Sequence, residues 1–174
     1  MKTLLLMRHA KSDWDADYGT DHDRPLNERG RRSARAMGQL LAEKGLQPDL
    51  ILSSTALRAR STAMLADEAG RWGSEILLDE TLYGGGTGAV IEAAASVPDV
   101  GRLMLVGHQP TWSMLVLALT GERVDMKTAT VAVVDLDIIE WRALPGSRGI
   151  LDMVYQPRDH LGDTSGAGSD KIAP

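Results

Sequence analysis

Thr3-Leu4-Leu5-Leu6-Met7 runs directly into Arg8-His9. A short apolar run with no polar alternation is what a strand covered on both faces looks like, and such strands belong to parallel sheets. The switch to a cation and an imidazole at its carboxyl end puts chemistry where open α/β sheets bind ligands. Asp49 to Ser53, Ile76 to Leu78 and Arg102 to Val106 read as further strands of the same kind.

Helices are predicted between these strands. Asn27 fits an N-cap, and Ala34, Met37, Leu40 and Leu41 recur at helical spacing up to Gly45. Leu57 to about Arg71 and Ala89 to Ala95 give two more helices. Pro110 suits the first turn of another, which reaches about Leu119 and stops at Gly121. Thr130 to Asp135, Ile138 to Arg142 and Gly149 to Tyr155 read as additional strands. Strands alternating with helices predict an α/β fold: a three-layer αβα sandwich around a mainly parallel central sheet. Residues 1–156 form one domain on this reading, and the Gly-, Ser- and Asp-rich residues 157–174 a flexible C-terminal tail. Gly84-Gly85-Gly86-Thr87-Gly88 lacks the Gly-Lys-Ser/Thr ending of a phosphate-binding P-loop and reads as a flexible connection.

The bulk properties exclude several classes of function. The 174 residues suffice for one domain with a full core. A net charge of −5 argues against nucleic acid as a partner, which needs a basic face. The absence of cysteine rules out disulfides and thiolate metal sites. The N-terminal apolar run is broken by Arg8, His9, Lys11 and Asp13, too early for a signal peptide. No stretch is long enough to span a bilayer, so no membrane partner and a cytoplasmic location are expected. The sequence leaves the oligomeric state open.

Three segments follow strands directly: Arg8-His9, then Ser53-Ser54-Thr55-Ala56-Leu57-Arg58, then Gly107-His108. In a parallel sheet all three leave from one edge, so Arg8, Arg58, His9 and His108 converge. Guanidinium groups are planar forks matched to phosphate oxygens. A neutral imidazole is a nucleophile. A helix starting near Pro110 adds backbone N–H donors. The combination fits transfer of a phosphoryl group, whose equatorial oxygens need such donors.

These segments resemble the histidine phosphatase superfamily, the phosphoglycerate mutase-like proteins. Leu4-Leu5-Leu6-Met7-Arg8-His9-Ala10-Lys11-Ser12 is similar to its strand plus Arg-His-Gly signature. Asp23-Arg24-Pro25-Leu26-Asn27-Glu28-Arg29-Gly30 is similar to the segment leading into its first helix, and Ser54-Thr55-Ala56-Leu57-Arg58-Ala59-Arg60-Ser61-Thr62-Ala63 to its Ser-x-x-x-Arg-Ala-x-x-Thr-Ala segment. Val106-Gly107-His108 resembles its second histidine motif. The short chain has no room for the inserted helical lobe of larger members, which points to the SixA-like branch of phosphohistidine phosphatases. The resemblance implies His9 as nucleophile, with Arg8, Arg58 and His108 binding phosphate. It implies no metal and no organic cofactor.

Departures from the family pattern bear on the substrate. Ala10 replaces the usual Gly, which is harmless if its φ is negative. Ser12 keeps register and can bind phosphate, but Asp15 stands where mutase-like members have a phosphate-binding Asn. The general-acid Glu of larger members falls in a segment that here reads Leu82-Tyr83-Gly84, so that acid is missing. Glu80, Asp13 and Asp15 are the substitute proton donors in the sequence. An alkoxide leaving group needs a proton, whereas imidazole, with a reference pKa of about 6.5, needs far less help. A protein phosphohistidine is therefore the favoured substrate. Small phosphate esters or anhydrides, and a non-catalytic phosphate-binding module, are the alternatives.

The remaining polar residues have plainer readings. Arg24, Arg29, Arg31, Arg32 and Arg35 form a basic cluster, either a solvated face or a surface for an acidic protein. His22 and His160 read as solvated, and Arg60 as a surface residue. A metal site from His9, His22 and His108 is opposed by the flanking arginines. Trp14 and Trp112 are placed near the site's rim, Trp72 and Trp141 in packing.

Overall fold

A computed structural model describes residues 1–160. The strands are β1 (Lys2–Arg8), β2 (Leu50–Ser53), β3 (Glu75–Leu78), β4 (Arg102–Gly107), β5 (Val131–Leu136) and β6 (Gly149–Tyr155). The helices are α1 (Glu28–Glu43), α2 (Leu57–Gly70), α3 (Thr81–Gly84), α4 (Thr87–Ala95) and α5 (Thr111–Thr120). The sheet order is β3-β2-β4-β1-β5-β6. The four strands from β3 to β1 are parallel, and β5 and β6 run antiparallel at one side.

Alternation within each strand divides the core into two layers. Leu4 and Leu6 of β1 face one way with Leu50, Leu52, Leu103 and Leu105, against Trp112, Leu115 and Val116 of α5 and Val90 of α4. Leu5 and Met7 face the other way with Ile51, Met104 and Val106, against Met37, Leu40 and Leu41 of α1 and Ala59 and Ala63 of α2. The runs are apolar throughout because both faces are covered. The predicted αβα sandwich with a mainly parallel sheet is what the chain forms, with no inserted lobe among the described residues. Among the described residues no helix is long and apolar enough to cross a membrane.

Local chemistry sets the element boundaries. Asn27 Oδ1 accepts from the Gly30 amide at 2.7 Å, the predicted N-cap bond. Gly30 then packs against the backbone of Lys11, where a Cβ would lie 2.1 Å from the Lys11 carbonyl oxygen. That close approach fastens the start of α1 to the loop that follows β1. Pro110 stands one residue ahead of α5, and Gly121 ends that helix in a left-handed conformation, as expected.

Two expectations need correction. Ile138–Arg142 is not a strand. Ile138 and Trp141, three residues apart, are both buried while Ile139 is exposed, which is the spacing of a turn and not of a strand. The segment ends in a single 3₁₀ turn, Trp141–Ala143, with the Trp141 indole N–H donating to the Val100 carbonyl at 2.8 Å. The glycine run is also more ordered than expected. α3 ends on Gly84, the first residue of the run, and α4 begins at Thr87, inside it. Of the expected tail, residues 161–174 lie outside the described residues, and Arg158–His160 are helical.

Candidate active site

Register brings the strand ends together. Arg8 pairs with Gly107 between β1 and β4, so His9 and His108 leave the sheet side by side. The His9 amide donates to the Gly107 carbonyl at 3.0 Å, and the Ser54 amide to the Val106 carbonyl at 2.9 Å. The two imidazole centroids are 5.1 Å apart. A cavity of about 460 Å³ opens above them, lined by Arg8, His9, Ser12, Arg58 and His108 among others. All five of these sequence-predicted residues therefore share one site.

His9 is buried, and its Nδ1 lies 2.7 Å from the carbonyl oxygen of Ala10. A carbonyl only accepts, so Nδ1 carries the proton and Nε2 keeps its lone pair. Burial, together with the charges of His108, Arg58 and Arg8, depresses the His9 pKa to about 3 against the opposing Ala10 hydrogen bond. Burial and Arg58 bring His108 down to about 4. Both rings are neutral at physiological pH. His108 Nε2 sits 2.8 Å from the Ser54 hydroxyl, which also accepts from the Ala56 amide. Ala10 donates its amide to Thr62 Oγ1 at 3.0 Å, and the only non-glycine residues with positive φ among those described are Arg71 and Ala129. Alanine is thus accommodated without strain at the position where the signature has glycine.

Three residues in the cavity escaped the sequence reading. Arg24, expected on a solvated face, is 4% exposed. It donates to Ser12 Oγ at 3.1 Å, pairs with Asp21 at 3.1 Å and stacks on Trp14 at 3.6 Å. Asp21 receives Arg58 Nη2 at 3.0 Å and the Tyr83 hydroxyl at 2.9 Å on the same oxygen. Partial burial raises the Asp21 pKa, but the hydrogen bonds from Tyr83 and Arg58 and the charges of Arg58 and Arg24 outweigh it and hold the carboxyl below its usual range. Tyr83 comes from α3, in the segment where the family's acid was sought. The Asp23-Arg24-Pro25-Leu26 motif was the available signal for Arg24. Nothing local marked Asp21 or Tyr83.

The proposed substitute acids lie elsewhere. Glu80, Asp13 and Asp15 are not among the residues lining the cavity. Asp15 is exposed and outside the cavity lining, its amide donating to Asp13 Oδ1 at 3.0 Å. Trp14 does reach the rim, whereas Trp112 is fully buried against Gly107. His22 is not free in solvent: its Nε2 lies 2.8 Å from Thr55 Oγ1 and its ring meets Tyr83 edge-on. His160 Nε2 lies 3.1 Å from Gln39 Oε1.

The electrostatics favour an anion. Arg8, Lys11, Arg24 and Arg58 face the single carboxylate of Asp21. Arg8, Arg24 and Arg58 each have a buried Nε–H without a partner among the described residues, and guanidinium groups of this kind suit an oxyanion. Among the described residues no group of three or more His, Asp or Glu side chains is placed to hold a metal ion.

Comparison with known proteins agrees with this geometry. Residues 4–99 match the model of the histidine phosphatase superfamily, branch 1. An uncharacterized chloroplastic protein of Arabidopsis thaliana is 32% identical over 161 residues, covering 85% of this chain and 74% of that protein. A crystal structure from Agrobacterium tumefaciens, provisionally assigned as the phosphohistidine phosphatase SixA, superposes with a TM-score of 0.77 at 32% identity, covering 90% of this chain and 98% of that one. Mycobacterial glucosyl-3-phosphoglycerate phosphatase shares the fold at a TM-score of 0.64 and 20% identity, over 88% of this chain and 98% of its own. With the family model matching more than half of its length, the chain belongs to the histidine phosphatase superfamily.

Proposed function

We propose that this protein is a phosphatase that works through a phosphohistidine on His9, and that its substrate is a protein phosphohistidine. The observation that carries the chemistry is the His9 ring: Nδ1 is committed to the Ala10 carbonyl, so a neutral Nε2 remains beside three arginines. Nε2 attacks phosphorus in line while the bond to the leaving group breaks. Arg8, Arg24, Arg58 and His108 hold the equatorial oxygens. A water then attacks phospho-His9, the P–N bond returns its electrons to Nε2, and inorganic phosphate leaves.

The substrate reading rests on the acid. The one carboxylate in the cavity is held ionised by Arg58, Arg24 and Tyr83 and is a poor proton donor. An imidazole leaving group tolerates that, and an alkoxide does not. The similarity to the SixA-assigned structure points the same way. The Tyr83 hydroxyl, on the Asp21 carboxylate at the rim, favours a second reading in which small phosphate esters are protonated on departure.

Rapid quenching into alkaline denaturant, which preserves phosphohistidine, tests the nucleophile. Labelled phosphate is expected on the native protein and absent from His9→Asn. Label retained by that variant would refute the assignment. Comparing a phosphohistidine peptide with a panel of sugar phosphates tests the substrate, and a clear preference for the sugars would overturn it.

A further inference from the structure

A second polar trough of about 350 Å³ adjoins the catalytic cavity. Lys11 and Thr128 line both, so the two are neighbours that share a wall. Arg29 at the start of α1, Lys127 and Arg158 complete its cationic wall, and among the described residues no Asp or Glu lines it. Such a concentration is unexpected in a chain of net charge −5. Among the described residues Lys11, Arg29 and Arg158 have no carboxylate within ion-pair distance, and Lys127 has only a loose, exposed contact with Asp125 at 3.7 Å.

Thr130 supplies an independent sign of a ligand. It lines the trough and is fully buried, and its hydroxyl has no hydrogen-bond partner among the described residues. A buried hydroxyl left unpaired costs on the order of 1–3 kcal/mol. The backbone that carries it is tied to the catalytic strand. The Ala129 amide donates to the carbonyls of both Arg8 and His9 at 3.1 Å, and the Arg8 amide donates to the Thr130 carbonyl at 3.1 Å. Ala129 itself holds φ at 61°, a left-handed conformation that is unfavourable for alanine. A strained bend thus fixes Thr128, which lines both chambers, and Thr130, which lines the trough.

We propose that this trough is a second anion subsite: it takes a carboxylate or phosphate carried by the substrate beside the phosphoryl group that is transferred. The inference deepens the phosphatase reading and rests on it. The anion comes either from an acidic side chain next to a phosphohistidine or from a second phosphate on a small molecule. The chemistry is the same in both cases, since guanidinium and ammonium donors bind either oxyanion.

The test uses Arg29→Ala/Arg158→Ala, neither residue lining the catalytic cavity, and Thr130→Val. KM and kcat are measured for phosphoramidate, which has no second anion. They are also measured for phosphohistidine peptides with Asp/Glu or Asn/Gln flanks, and for a sugar bisphosphate beside its monophosphate. The expected result is a KM raised about tenfold or more for substrates with a second anion, with kcat retained and phosphoramidate unaffected. The peptide pair and the sugar pair show which source is used. Equal kinetics for variant and native enzyme on every substrate would overturn the proposal. So would a uniform loss that includes phosphoramidate, which marks a structural defect.

Amide NMR with inorganic phosphate reads the trough without turnover. Two binding processes are expected, one at the amides of His9 and His108 and one at Lys127 and Thr130, the second lost in the double variant. A single process, or trough shifts that survive in that variant, would overturn the subsite. A native enzyme that turns over nothing and traps no phosphate overturns the phosphatase reading instead.

Discussion

Asp21 grips Arg58 twice: its carbonyl oxygen accepts from Nη1 at 2.7 Å and its carboxylate from Nη2 at 3.0 Å. The backbone bond fixes the guanidinium, while the carboxylate adds a negative charge to a cavity built for an anion. The two effects can be separated because asparagine keeps the side-chain acceptor and removes the charge. Asp21 is about half exposed, so the repulsion is partly screened and amounts to about 1 kcal/mol. Asp21→Asn is therefore expected to bind inorganic phosphate about fivefold more tightly, measured as product inhibition. Weaker inhibition would mean that the charge serves mainly to orient Arg58.

Arg24 uses its fork in a way lysine cannot copy. One nitrogen reaches Ser12 Oγ, another reaches Asp21, and the plane lies on Trp14. Arg24→Lys preserves the charge and loses both the bidentate geometry and the stacking. A kcat/KM lowered about tenfold or more is expected, with an unchanged far-ultraviolet circular dichroism spectrum. Native kcat/KM in this variant would show that charge alone matters there.

The sheet and half of the site were legible for the same physical reason. Leu4-Leu5-Leu6-Met7 reads as a strand buried on both faces, and a parallel strand delivers the next residues to the sheet's carboxyl edge. The same reading of β2 and β4 brings Arg58 and His108 to that edge beside His9, and the family resemblance supplies their roles. Arg24 was marked only by its motif and Asp21 by nothing, because both sit in the loop before α1, whose path is set by tertiary contacts: the Ser12–Leu26 bridge and the Arg24–Trp14 stack. Tyr83 was hidden by the glycines after it, which suggested a mobile loop and masked the turn of helix that carries the phenol. Ile138–Arg142 misled because β-branched residues promise a strand, whereas burial of Ile138 and Trp141 at a spacing of three decides for a turn.

The acid limb of activity should lie well below the usual imidazole range. A histidine of pKa 6.5 would be only about one-tenth neutral at pH 5.5. With His9 near 3 and His108 near 4, both stay neutral there. The kcat/KM for an activated aryl phosphate, corrected for ionisation of the substrate, should hold down to pH 5.5. A limb centred near 6.5 would show that burial does not depress the nucleophile.

The same depressed pKa values govern stability. Below pH 6.5 an unfolded chain protonates these two histidines while the native state resists until about 4 and 3. The unfolded state therefore binds more protons as pH falls through that window, and stability is lost on acidification. His9→Asn keeps a donor for the Ala10 carbonyl and removes one such group. Its Tm should fall less than the native Tm between pH 7 and pH 5. An equal fall in both proteins would mean that His9 contributes nothing to acid lability.

Gly107 joins the packing of α5 to the placement of His108. A Cβ on Gly107 would lie 2.1 Å from the Trp112 ring, and Trp112 is fully buried with its indole N–H on the Leu105 carbonyl at 3.2 Å. The ring cannot retreat without breaking that bond and opening the core around Leu115 and Val116. Gly107→Ala must instead push β4 or α5 apart, an overpacking cost of about 1–3 kcal/mol. A lower Tm is expected, together with weaker phosphate binding, because His108 follows directly on the displaced residue. The control is Gly86→Ala, at a position where an added Cβ meets nothing within 4 Å; its Tm should stay close to native. A Gly107→Ala protein as stable as that control would show that the contact between strand and tryptophan does not set the position of the second histidine.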